Sequence, residues 1–117
     1  GGVVCVHDVV PFNGPMTTRD EGYLSVGTGW TGDVWKIVPI LKKYRPDLRV
    51  DVLDAPRTGL CCISGLNPAN NTLVQNMETI LQEYSPIDLA ETGPGFYYDN
   101  FDMNNLESYL QSLPTLP

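Results

Sequence analysis

Hydrophobic and polar positions alternate between two rhythms along this chain, beginning with an unbroken apolar run. Val3-Val4-Cys5-Val6-His7-Asp8-Val9-Val10 follows a Gly pair and ends at Pro11. Continuous strand formers with one polar pair predict a strand buried on both faces, as in a parallel sheet. Strands of that kind belong in the middle of a domain, so at the start of the chain this one lacks a neighbour on one side. From Pro11 to Gly29 the turn formers Asn13-Gly14-Pro15, Arg19-Asp20-Glu21-Gly22 and Gly27-Thr28-Gly29 predict a long loop.

A helical rhythm follows. Val34, Trp35, Ile37, Val38 and Leu41 fall on one broad face, with Thr31 as the expected N-cap. Asp33 suits the positive end of the helix dipole, and Lys42, Lys43 and Arg45 the negative end. Pro39 would delete a donor in a helix interior and clash with the preceding turn, which predicts a kink or a break near Trp35. The rhythm then shortens to two. Leu48, Val50 and Val52 share one face and Arg49 and Asp51 the other, which predicts an edge strand with one wet side. After the turn Ala55-Pro56-Arg57-Thr58-Gly59, the run Leu60-Cys61-Cys62-Ile63-Ser64-Gly65-Leu66 predicts a second doubly buried strand. So short a link requires antiparallel pairing, because a parallel partner needs a long crossover. Asn67 to Thr72 form a turn and cap cluster before a helix over residues 73–84, striped by Leu73, Met77, Ile80, Leu81 and Tyr84. Residues 87–100 are turn-rich, and a last helix over residues 104–113 is capped by the Asn104-Asn105 pair. The expected fold is α/β: a small three-stranded mixed sheet, two parallel strands with an antiparallel strand between, flanked by helices. Residues 1–66 carry the sheet and its helix, and residues 67–117 form a helical extension packed on the same domain.

Composition narrows the function classes. The chain has 117 residues, enough for one core, and a formal charge of -7, which argues against nucleic acid as a partner because such affinity comes from Lys and Arg on phosphates. No apolar segment approaches the roughly 20 residues that span a bilayer, so no membrane partner is expected. Cys5, Cys61 and Cys62 are an odd set without metal-motif spacing and lie in apolar runs, which implies buried reduced thiols and a cytoplasmic setting. Asn70-Asn71-Thr72 matches a glycosylation acceptor, but with no signal peptide visible it is taken as a helix start.

The order of strand, long loop, helix, strand, tight turn and antiparallel strand resembles the C-terminal end of class I S-adenosylmethionine-dependent methyltransferases. Gly1-Gly2-Val3-Val4-Cys5-Val6-His7-Asp8-Val9 is similar to a strand of that family that opens on a Gly pair and closes on a polar pair. Trp30-Thr31-Gly32-Asp33-Val34-Trp35-Lys36, and the stretch from Leu53-Asp54 through Gly59 to Ile63, resemble a bacterial branch of small-molecule or sugar O-methyltransferase-like proteins. The likeness covers about residues 1–66. It implies the C-terminal part of a Rossmann-like methyltransferase fold, with the last strand inserted antiparallel between two others. The family holds its cofactor on a Gly-rich turn after the first strand and an acidic residue ending the second. This chain has neither, so no cofactor is expected for it alone, S-adenosylmethionine belongs to the parent family, and methyl transfer needs a missing half.

His7 and Asp8 are the candidate catalytic residues, expected on opposite faces where the first strand ends, because successive side chains alternate. In the cation-dependent catechol-type branch, the matching positions are Asp and Asn and hold magnesium. By that resemblance Asp8 offers an oxygen ligand to a hard cation and His7 a nitrogen suited to zinc or iron. His7 is alternatively a general base toward an acceptor hydroxyl, or both residues cap the strand and bond loop backbone. Trp30 and Asp33 are the candidate substrate-binding residues, Trp30 lining an acceptor pocket and Asp33 facing the strand ends; Trp35 is expected in the core. Lys36, Lys42, Lys43, Arg45, Arg49 and Arg57 are either a weak anion-binding face or a solvated helix end. Phe96-Tyr97-Tyr98 with Phe101 is a sugar-stacking platform, a dimer contact or a pin for the tail. An apolar first strand without a neighbour also suggests a homodimer, or association through that strand.

Overall fold

The computed structural model describes residues 2–11, 31–55, 58–88 and 103–112. Among them, strands β1 (Val4–His7), β2 (Arg49–Leu53), β3 (Leu60–Ser64) and β4 (Met103–Asn104) form one sheet in the order β1-β3-β2-β4. Every pairing that β3 makes is antiparallel: Cys5 lies opposite Cys62, and Cys62 opposite Asp51. β1 and β2 therefore run in the same direction on either side of β3 without touching. The hydrogen-bonded parallel pair is β2 with β4. The expected three strands thus become four, because Met103–Asn104, the second of which was read from sequence as the start of a helix, add a short strand beyond β2. For the same reason β2 is an inner strand and not the sheet's edge.

The sheet's two faces follow from the period of two. Val6, Val50, Val52, Cys61 and Ile63 share one face and pack with Val9, Val10, Val38 and Leu41 into the main core. On the other face, Leu53 and Cys62 are buried under Tyr109 of α4 (Leu106–Ser112), with Leu60 packed beside them. Leu53 is buried although β2 was expected to have a wet side, because α4 covers it.

A 3-10 turn at Val34–Lys36 leads into α1 (Ile37–Tyr44). Pro39 thereby occupies the first turn of α1, where backbone donors have no partner inside the helix in any case. The expected break falls at that junction. Of the expected apolar face, Trp35, Val38 and Leu41 are buried and Ile37 is half-buried, while Val34 is exposed. Thr31 is not the cap: Asp33 holds the N-cap position, with no capping bond from its side chain, and the Thr31 hydroxyl reaches Gly32 O at 3.4 Å. The second helix is also divided, into α2 (Thr72–Gln75) and α3 (Met77–Tyr84). At the join, the Asn76 side-chain amide donates to Thr72 O at 2.8 Å, a local bond that competes with the helical ladder. Asn67 and Asn70 accept from the backbone N–H two residues on, as cap-forming Asn does, and Asn105 accepts from Ser108 N at 3.1 Å to cap α4.

β1 departs furthest from expectation. Val4, Cys5 and His7 are exposed and Val6 is half-buried. Apolar composition buries a strand only where a layer covers each face, and β1 is the terminal strand of the sheet, hydrogen-bonded to β3. Burial passes instead to Val9 and Val10, just beyond the strand, which are 0% and 8% exposed.

Candidate functional site

The end of β1 is fastened to the turn that begins β3. Asp8 leaves the strand with φ of 66°, a left-handed conformation that Asp tolerates better than most residues. This reversal, and not strand geometry, sets the direction of its side chain. His7 and Asp8 therefore do not diverge to opposite faces; His7 Nδ1 lies 3.2 Å from Asp8 Oδ1. The same Asp8 oxygen accepts a hydrogen bond from the buried Thr58 hydroxyl at 2.5 Å. Two residues on, Val10 N donates to Thr58 O at 2.7 Å. Beside that bond Gly59 has φ of +78°, and a Cβ there would lie 2.3 Å from Val10 Cγ2. The two segments, about 50 residues apart in sequence, thus close on each other with no room for a side chain at Gly59.

That arrangement holds Asp8 mainly as a structural acceptor. His7 is exposed, with Asp8 as its neighbour, and no group of three or more His, Cys, Asp and Glu able to hold a metal exists among the described residues. Of the roles considered from sequence, the strand-capping one has a defined bond, from the Thr58 hydroxyl to Asp8.

Asp33 belongs elsewhere. It lines an open cleft of about 360 Å³ between β1, the segment entering α1, and α3. Val6, Val34, Ile37 and Ile40 form one wall, Ile80, Leu81 and Tyr84 the other, and Asp33, Lys36 and Ser85 are the polar members. Val6 points to this side of the sheet and His7, its neighbour in the strand, to the opposite side. Asp33 and His7 are therefore not brought into one site. Trp30 lies outside the described residues, as do Gly27-Thr28-Gly29, Arg57 and the aromatic group from Phe96 to Phe101. Within the cleft Lys36 is buried; its ammonium lies 3.7 Å from Asp33 Oδ2 and donates to Ser85 O at 3.4 Å. The aliphatic stem packs while the charged tip finds oxygen, the usual compromise for a buried Lys.

Among the described residues, three of the basic residues on and after α1 are paired with carboxylates. Lys43 pairs with Glu83 at 2.6 Å, and Tyr44 donates to the same carboxylate at 2.6 Å. Those two bonds, the Lys43 one foremost, hold the Glu83 carboxyl below its ordinary range. Arg45, itself buried, grips Asp47 with two bonds of 2.9 Å, and Arg49 lies 2.7 Å from Asp51. Each of these three cations has a carboxylate neighbour, which offsets its charge locally. Sequence reasoning missed Thr58 as the partner of Asp8, and α3 as the cleft's second wall. Nothing local marks Thr58, whereas the stripe of Ile80, Leu81 and Tyr84 was visible and only its partner was not.

The thiols divide by face. Cys61 is fully buried in the main core, and burial pushes its pKa up to about 12. Cys62 is buried on the other face, where burial and then the Cys5 contact also raise its pKa. Cys5, expected to be buried, is exposed on β1.

Comparison with protein-family models, curated proteins and solved structures finds no match for this chain. The described residues define a small α/β protein with a mixed sheet, an exposed strand β1 at the end of its order and an apolar cleft beside it. Among the described residues no helix is long and apolar enough to cross a membrane.

Proposed function

We propose that this chain is a methyltransferase-like half-fold, related to the C-terminal part of class I S-adenosylmethionine-dependent enzymes and unable to transfer methyl groups alone. The parent activity in this reading is O-methyl transfer to a small molecule or sugar. The observation that carries it is the strand order: β3 is inserted between β1 and β2, antiparallel to both, and α1 lies in the connection from β1 to β2. The residues present do not fit S-adenosylmethionine. Gly59 is filled by Val10 and not open to a ligand, and among the described residues no strand runs through a Gly-rich turn into a helix. Calorimetric titration with S-adenosylmethionine is expected to give no binding heat; micromolar affinity for the chain alone would refute the half-fold reading.

A second reading, association through β1, is favoured by one observation. β1 ends the sheet while Val3 and Val4 are 51% and 45% exposed, an apolar edge of the kind proteins normally cover. Light scattering across a concentration series is expected to show a dimer that Val4→Lys weakens. A monomer at every concentration would sink it.

A further inference from the structure

We propose that Cys5 and Cys62 are a thiol–disulfide site, in which a low-molecular-weight disulfide oxidises the pair to a bond that clamps the terminal strand β1 onto the centre of the sheet. The inference rests on the strand register and is independent of the methyltransferase reading.

Cys5 and Cys62 are direct partners in the β1–β3 ladder, and their Sγ atoms lie 3.7 Å apart. Directly opposed residues in antiparallel strands have Cα atoms roughly 4.5–5.5 Å apart. That spacing falls inside the roughly 4.4–6.8 Å that disulfides span. Closing the contact to a bond of about 2.0 Å needs side-chain rotation and no change of register. Cys61, adjacent in sequence, points through the sheet to the main core and is opposed by Val6, so it has no route to Cys5. The chain therefore carries its own control.

The two partners also differ in access, as a sequential exchange requires. Cys5 is exposed on a terminal strand, while Cys62 is buried against Leu53 and Tyr109. The Cys5 thiolate attacks one sulfur of the external disulfide, whose S–S bond breaks to release one thiolate and leave a mixed disulfide on Cys5. Cys62, as thiolate, then attacks the Cys5 sulfur and expels the second small thiol. The protein pair loses two electrons and two protons, and the external disulfide takes both as two thiols. The buried second thiol has few competitors for the mixed disulfide, because the ladder holds it against the sulfur it must reach.

The test is incubation of the full chain with oxidised glutathione, followed by intact mass and peptide mapping. The expected product has lost two hydrogens, carries no glutathione, and yields a Cys5–Cys62 linked peptide. Cys61→Ser should give the same product, whereas Cys62→Ser should stop at a stable glutathione adduct on Cys5. On oxidation the unfolding midpoint should rise, and dithiothreitol should return it. A persistent adduct on Cys5 of the unaltered chain, a link to Cys61, a Cys5–Cys5 linked dimer, or no reaction at all would each overturn the proposal.

Discussion

Replacing Asp8 separates the two jobs the structure gives this residue. It holds a left-handed backbone at φ of 66°, and its carboxylate accepts the buried Thr58 hydroxyl. Asp8→Ala removes the acceptor and places a residue less tolerant of that backbone in the same conformation. A hydrogen bond to a charged group contributes about 1.5–3 kcal/mol. Because the Asp8 side chain is 40% exposed, the lower end applies. Orphaning the buried Thr58 hydroxyl is part of that cost and is not added again. Left-handed geometry costs a non-glycine residue roughly 1–2 kcal/mol, of which Asp is partly relieved. Asp8→Ala is therefore expected to lose about 2 kcal/mol. Asp8→Gly loses the same bond but relieves the backbone, offset in part by added freedom in the unfolded chain, and should lose about 1 kcal/mol less than Ala. Asp8→Asn keeps both an acceptor oxygen and the backbone tolerance, and should fall closest to the parent. Urea denaturation measures all three, and a double-mutant cycle with Thr58→Val should return a coupling of about 1 kcal/mol. If the Ala and Gly variants are equally stable, the backbone strain assigned to Asp8 is wrong; if all three match the parent, the strand-capping role is wrong. In the second case Asp8 would be free for chemistry instead.

Gly59→Ala should destabilise by about 2–5 kcal/mol, combining left-handed backbone with an overpacked Cβ 2.3 Å from Val10 Cγ2; a change below about 0.5 kcal/mol in urea would show that the turn relaxes freely. Pro39→Ala should change stability by less than about 1 kcal/mol, because Pro39 lies in the first turn of α1; a gain near the roughly 3 kcal/mol of a mid-helix proline would contradict that placement. Glu83 has a folded pKa below its ordinary 4.5, so its contribution is fully present above that value and is lost as pH falls through the lowered one. Melting temperature followed by circular dichroism should therefore drop less steeply on acidification in Glu83→Gln than in the parent, and identical acid profiles would remove Glu83 from the account.

The legible parts of this chain were those fixed by nearest neighbours. The alternation of Leu48, Val50 and Val52 placed them on the core face, and the short link through Gly59 required β2 and β3 to be antiparallel. Pro39 marked the helix break, and the Asn residues marked the caps. The candidate site was legible only as residue types. His7, Asp8 and Asp33 were visible, but their grouping was not, because it depends on one left-handed residue and on which strand face each element meets. Asp8 met Thr58 across about 50 residues, and Asp33 met Lys36 within its own turn.

What the sequence by itself determined is the three longer strands, the approximate places of the helices and the direction of the short-range pairings, since these follow from periodicity and loop length. Only the tertiary structure decided burial. The same kind of apolar run made a covered central strand at β3 and an exposed terminal one at β1, because burial depends on what lies across each face and edge. That difference left Cys5 open beside a covered Cys62 and set the aliphatic walls of the cleft together, and no count of apolar residues along the chain distinguishes the two runs.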